Sequence, residues 1–222
     1  MQTSKTECDK CGTCCERGGP ALHTQDRDLL ASGVIGFTDF VTIRQGEIVV
    51  QPDTGKPEAS EVELIKFQGQ DGQWCCRFLD PTARTCTIYE HRPLACHLQK
   101  CWEPDEVLGI AGQKLLNRFD LIAEDDPLLP LVRLYEQQCA LPDMVEVTVQ
   151  LQNAGQRDRA LAGLKGMVEK DLMFRSIAID QFHLSVAQEL FYFGRPLFQL
   201  LIPLGVSVTE TADGLTLQYS DE

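Results

Sequence analysis

Nine of the ten cysteines of this chain lie between Cys8 and Cys101, and four of them fall in one eight-residue run, CDKCGTCC. A disulfide framework has no reason to crowd its cysteines into half of a chain. The N-terminus MQTSKTECDK has neither a basic start nor an apolar signal region, so the expected compartment is the reducing cytoplasm. In that setting, closely spaced thiols bind metal rather than pair with one another.

The cysteines form two arms. In the first, Cys8, Cys11, Cys14 and Cys15 are separated by two-residue gaps that let successive sulfurs converge while the backbone turns, and Gly12 supplies the permissive residue for that turn. The second, WCCRFLDPTARTCTIYEHRPLACHLQKCW, places Cys76, Cys86 and Cys96 with nine residues between neighbours and Cys101 five positions further on. Such spacing delivers ligands from separate turns to close a site that the first arm begins. The expected metal ligands are Cys8, Cys11, Cys14, Cys15, Cys76, Cys86, Cys96 and Cys101. They could form two four-thiolate zinc sites, or one four-cysteine iron–sulfur cluster with spare thiols. The surplus over four thiols inclines the reading to iron–sulfur, with a 4Fe-4S cluster ahead of Zn2+.

Neighbouring side chains in extended backbone point to opposite faces, so Cys75 and Cys76 need not both ligate, and Cys76 is the one expected to do so. His97 follows a ligand and is a minor nitrogen candidate, whereas His23, His91 and His183 lack a partner at ligand spacing. Arg92 and Arg77 lie where an excess of thiolate charge needs balancing. Arg92 is expected to donate to ligand sulfurs or nearby carbonyls, or else to pair with Glu90.

The rest of the chain bounds the function classes. Twenty Lys and Arg face 33 Asp and Glu, a net charge of -13, which would repel a phosphate backbone and excludes nucleic acid as a partner. No run approaches the ~18 consecutive apolar residues of a membrane span. No glycine-rich phosphate loop, nucleophile elbow or zincin helix is present, so no enzyme class gains support from a motif of its own.

The fold class expected is α+β, with a cysteine-rich module over residues 1–103 and an acidic, mostly helical region over 104–222 that ends in a hairpin. In the first, FVTIRQ and GEIVVQ predict a hairpin across Gly46, VELIKF predicts a strand, and TQDRDLLASG predicts a short helix stopped by Gly33. In the second, helices are predicted from Pro104 along a face reaching Phe119, from Asp126-Pro127 to about Cys139, from Gln156 to about Ile179 and from Gln181 to Phe193. The acidic run Glu124, Asp125, Asp126 reads as helix capping rather than a cation site. VSVTE and LTLQY predict the terminal hairpin.

The order CxxCxxCC at Cys8 to Cys15, CRFLD at Cys76 to Asp80, CTIYEHRPLAC at Cys86 to Cys96 and CW at Cys101-Trp102 resembles the YkgJ-type cysteine-cluster family over roughly residues 5 to 103. That resemblance implies chelation of zinc or iron by these cysteines. Flagellin lysine methylase, a larger iron–sulfur enzyme, has a similar cysteine-rich pattern. Three functions follow as expectations. The leading one is a metal-binding protein with a redox or metal-handling role. The others are a structural zinc module whose acidic helical region binds a protein partner, and an iron–sulfur-dependent modifying enzyme of the methylase kind.

Overall fold

A computed structural model describes residues 5–51, 54–70 and 72–221. The cysteine-rich half is built from short ladders. Strand β1 (Phe40–Ile43) pairs antiparallel with β4 (Leu64–Phe67), and β2 (Ile48–Val50) pairs with β3 (Pro57–Ala59). Then β5 (Gly69–Gln70) pairs with β6 (Gln73–Cys76), and β7 (Leu79–Asp80) with β8 (Thr85–Cys86). Three short helices accompany them: α1 (Thr13–Glu16), α2 (Arg27–Ala31) and α3 (Leu94–Leu98). The helical half holds α4 (Asp105–Gly109), α5 (Leu129–Gln138), α6 (Met144–Gln152), α7 (Ala154–Phe182), α8 (Val186–Phe193) and α9 (Leu197–Leu201). It closes with the β9 (Val206–Thr211) and β10 (Gly214–Tyr219) hairpin. The architecture is α+β, and among the described residues no helix is long and apolar enough to cross a membrane.

The predicted hairpin across Gly46 does not form. All four residues of β1 are buried, and the next inward-turned side chains are charged: Arg44 reaches Glu136 at 3.0 Å and Glu47 meets Arg195. Satisfying those charges bends the chain at 44–47, with Glu47 N donating to Arg44 O at 3.1 Å, and sends the two strands to different partners. The helix expected from Pro104 stops at Gly109, because Gly112 (φ +72) and Lys114 (φ +49) turn the chain. That turn buries Leu116 completely as an extended rung, bonded through its backbone to Leu22 and Ile65, and burial of Leu116 outweighs continuation of the helix.

The long helix α7 runs past its predicted end. It absorbs Phe182 and closes on His183 in the left-handed conformation (φ +55), after which a capping box of Ser185 and Gln188 starts α8 afresh. The helix predicted from Gln181 therefore begins only at Val186. Helices α6 and α9 lie outside the predicted set. Helix α6 is started by Asp143, whose carboxylate accepts from Val145 N and Glu146 N at 2.9 and 3.0 Å. The acidic run does not cap α5, whose N-cap is Leu128 without a side-chain cap bond; Asp126 instead closes the turn before it, accepting from Leu128 N at 2.8 Å.

One apolar cluster spans both halves, from Leu22, Phe40, Ile65, Phe67 and Cys76 to Val132, Tyr135, Phe174 and Phe191. Helix α8 seals β1 through Phe191, and Phe37 stacks on that ring at 4.2 Å. Charged side chains are built into the same region. Fully buried Arg118 donates to Tyr192 O at 2.6 Å and lies against Glu63 at 3.1 Å and against Glu136. Its Nε and Nη2 make no well-aligned hydrogen bond among the described residues, so those carboxylate contacts are mainly Coulombic. Arg175 donates to Asp171 at 3.0 Å and Glu189 at 2.6 Å, and the Tyr135 hydroxyl donates to Asp171 at 2.6 Å. A second cluster, including Met144, Leu164, Val168, Leu201 and Val206, joins α6, α7 and α9 to the terminal hairpin.

Candidate metal centre

The first arm coils as one helical turn. Gly12 (φ +76) starts it, Glu16 N donates to Gly12 O at 3.0 Å, and Cys14 and Cys15 ride on α1. Gly12 is required twice over, by its positive φ and by closeness, since a Cβ there would stand 2.7 Å from Arg84 O of the second arm. Arg84 returns the contact as an ion pair to Glu16 at 2.7 Å.

The second arm delivers its sulfurs from three separate pieces. Cys76 ends β6 and is buried, while Cys75, its neighbour on the opposite face, lies 3.6 Å from Gln70 Nε2. A tight turn on Asp80, whose Oδ1 accepts from Thr82 N and Ala83 N at 2.8 and 2.9 Å, brings the chain back to Cys86 opposite Leu79. Cys96 sits on α3, and the first N–H of that helix, from Leu94, reaches Asp26 Oδ1 at 2.7 Å.

Five of the predicted ligands interact with one another. Cys15 interacts through its sulfur with both Cys14 and Cys86. Cys76 and Cys96 each feel the charges of Cys14 and Cys86, and Cys96 also that of Cys76. These interactions sort the protons. Cys14 and Cys86 are lowered to about 6, chiefly by the interaction with Cys15 and further by nearby Arg92, while Cys15 is pushed up as the one that keeps its proton. Burial raises Cys76 to about 11 and raises Cys96 further. Two sulfurs are thus favoured as thiolates and three as thiols.

The other three predicted ligands line an exposed rim. Cys8 accepts from Lys10 N at 3.4 Å and meets the Tyr89 hydroxyl. Cys11 lies 3.3 Å from Thr13 Oγ1, a contact that lowers its thiol, and Cys101 is bonded to the Lys5 ammonium. All ten cysteines carry free thiols. Among the described residues, no three His, Cys, Asp or Glu side chains stand in a finished metal-binding arrangement. Cys139 is buried in the helical half beside Arg44, whose Nη2 donates to its carbonyl at 2.7 Å.

Arg92 takes the neighbouring-carbonyl role. Its Nε donates to Tyr89 O at 2.7 Å and its guanidinium stacks 3.5 Å from the Tyr89 ring, which also carries the Lys10 ammonium at 4.2 Å. Among the described residues it makes no ion pair with Glu90. Arg77 is turned elsewhere, to Asp39 at 2.9 Å. His97 and His91 are exposed. The residue that sequence reasoning passed over is Asp26, three positions after His23. Nothing local in the sequence announces its bond to Leu94, 68 residues away.

Five interacting thiols, of which Cys76 is buried and Cys14 exposed, flanked by further cysteines, make this half a thiol-rich module. Residues 7–114 match the family model CxxCxxCC, described as "Putative zinc- or iron-chelating domain". The chain matches no curated protein and no solved structure.

Proposed function

We propose that the protein binds metal through this cluster, with Cys14, Cys15, Cys76, Cys86 and Cys96 as the inner donors and Cys8, Cys11 and Cys101 completing the set from the rim. The observation that carries the reading is the meeting of the two arms, where Gly12 packs against Arg84 O and Arg84 pairs with Glu16, which sets the sulfurs of Cys14 and Cys15 beside Cys86. Cysteines with no shared task have no reason to be brought together from α1, β6, β8 and α3. A set made only of soft sulfur donors suits zinc or an iron–sulfur cluster and does not suit magnesium or calcium. Binding would replace the protons held by Cys15, Cys76 and Cys96, so uptake is coupled to proton release.

The excess of thiols over four favours an iron–sulfur cluster over zinc, which would give the protein a redox or metal-handling role. Ten free thiols are compatible with a reducing, cytoplasmic location. The deciding measurement is iron, zinc and acid-labile sulfide in protein purified without oxygen, with its absorption spectrum. Iron with matching sulfide and a broad band near ~400 nm is expected of a thiolate-held cluster. Colourless protein holding about two zinc ions, as two four-thiolate sites would, would instead support a structural zinc module. Protein that takes up neither metal under reducing conditions would end the proposal.

A further inference from the structure

Helix α3 has no cap of its own. The residue before it, Pro93, offers no side-chain acceptor, and five residues are too few to hold a helix by internal bonds alone. Its first N–H is satisfied from 68 residues away, by the carboxylate of Asp26. The second carboxylate oxygen of Asp26 accepts from His23 N at 2.8 Å. Asp26 is 3% exposed; its bond to His23 N is buried and its bond to Leu94 N part-buried, and a charged acceptor on a backbone N–H is strong.

The base of this brace is rigid. His23 follows Leu22, a fully buried residue whose backbone bonds to both Ile65 and Leu116, and Thr24 N donates to Lys114 O at 2.8 Å. The His23 ring lies 3.3 Å from Ile110 O through Nε2 and 3.9 Å from the Asp26 carboxylate through Nδ1. Asp26 therefore joins the strand core to the start of α3. Cys96 is the third residue of that helix, so the place of its sulfur relative to Cys76, Cys14 and Cys86 follows from where the helix begins.

We propose that Asp26 is the positioning residue of the thiol cluster: through the Leu94 N–H it fixes the first turn of α3 and holds Cys96 against the other inner sulfurs. The effect on metal affinity rests on the metal reading above, whereas the effect on Cys96 itself does not.

The test uses full-length Asp26→Ala and Asp26→Asn. In metal-free protein, iodoacetamide labelling followed residue by residue should unmask Cys96 in Asp26→Ala by about 10-fold or more, as expected when a local opening is eased. Cys139, buried in the helical half, should keep its wild-type rate. In cobalt-loaded protein, the sulfur-to-cobalt charge-transfer band should change and cobalt affinity should fall about 10- to 100-fold, the usual cost of losing a group that orients a ligand. Asp26→Asn keeps an oxygen for Leu94 N and should fall between wild type and Asp26→Ala in both readouts. Wild-type labelling of Cys96 in Asp26→Ala would overturn the proposal, as would acceleration of Cys96 and Cys139 in step in both variants. If wild type binds cobalt and the variants share its spectrum and affinity, Asp26 has no positioning role. If wild type binds no metal while Cys96 is still unmasked, the positioning role stands and the metal reading fails.

Discussion

The helical half and the cysteine-rich half both take polar groups out of water, and they balance them differently. Around Tyr135, the buried guanidinium groups of Arg44 and Arg175 meet carboxylates and carbonyls: Arg175 alone reaches Asp171, Glu189, Phe193 O and Gly194 O. Around Cys15, the sulfurs find chiefly one another, with Arg92 nearby and Lys5 on the rim. The first arrangement is complete within the protein. The second holds more donors than the protein can use, which is the condition of a site that takes a further cation.

The largest effect should come from the thiol cluster itself. Cys86→Ala removes a sulfur that interacts with Cys15 and should abolish stoichiometric metal, read by elemental analysis of purified protein, while the helical half keeps its far-ultraviolet circular dichroism. Retention of full metal would break the contrast, because Cys86 would then be only a packed thiol.

Next in size, Arg175→Ala takes the positive partner from the buried carboxylates of Asp171 and Glu189. Breaking one side of a buried ion-pair network costs about 3–5 kcal/mol, which urea denaturation should resolve, with metal content per folded protein unchanged. A loss below 1 kcal/mol would mean that the carboxylates find other partners or water, and that this half is less closed than it looks. Such networks are not themselves large sources of stability, since desolvation offsets much of their attraction; the cost arises from the charges left behind.

A smaller effect is expected from Arg92→Ala. The Cys14 and Cys86 thiolates would lose a positive neighbour, and metal affinity should fall about 10-fold, at the low end of the range for groups that support a ligand shell. Unchanged affinity and unfolding temperature would leave Arg92 as a stacking partner of Tyr89 only.

The mildest test compares two thiols by pH in metal-free protein. Cys14, lowered to about 6, is already largely thiolate at pH 7, so its alkylation rate should rise as pH climbs through about 6 and then level off. Cys139, raised to about 11 by burial, should react slowly at pH 7 and gain rate only toward pH 11. Equal rates for the two at pH 7 would erase the electrostatic difference between the regions.

Much of the local structure was legible from the residues. The long apolar repeat through Leu161, Leu164 and Val168 gave α7, VELIKF gave β4, and the alternation in VSVTE and LTLQY gave the terminal hairpin, because each signal is carried by neighbours in sequence. Pairing was less legible. FVTIRQ and GEIVVQ look like natural partners until Arg44 and Glu47 are seen to reach Glu136 and Arg195, contacts 92 and 148 residues distant. Helix α6 was passed over because VEVTVQ alternates apolar and polar residues, a pattern that reads as strand, whereas the folded helix buries Met144, Val147 and Leu151 at helical spacing.

The sequence by itself determined that this chain carries a thiol-based centre, because the number, order and spacing of cysteines constrain the chemistry before any fold is known. It also determined the two arms and the turn at Gly12. Tertiary structure alone decided which thiols meet: Cys14, Cys15, Cys76, Cys86 and Cys96 together, Cys8, Cys11 and Cys101 on the exposed rim, Cys75 turned to Gln70 and Cys139 apart. The physical reason is that contact between sulfurs depends on where separate turns are anchored. Those anchors are long-range bonds such as Asp26 to Leu94, which leave no periodic trace in the chain.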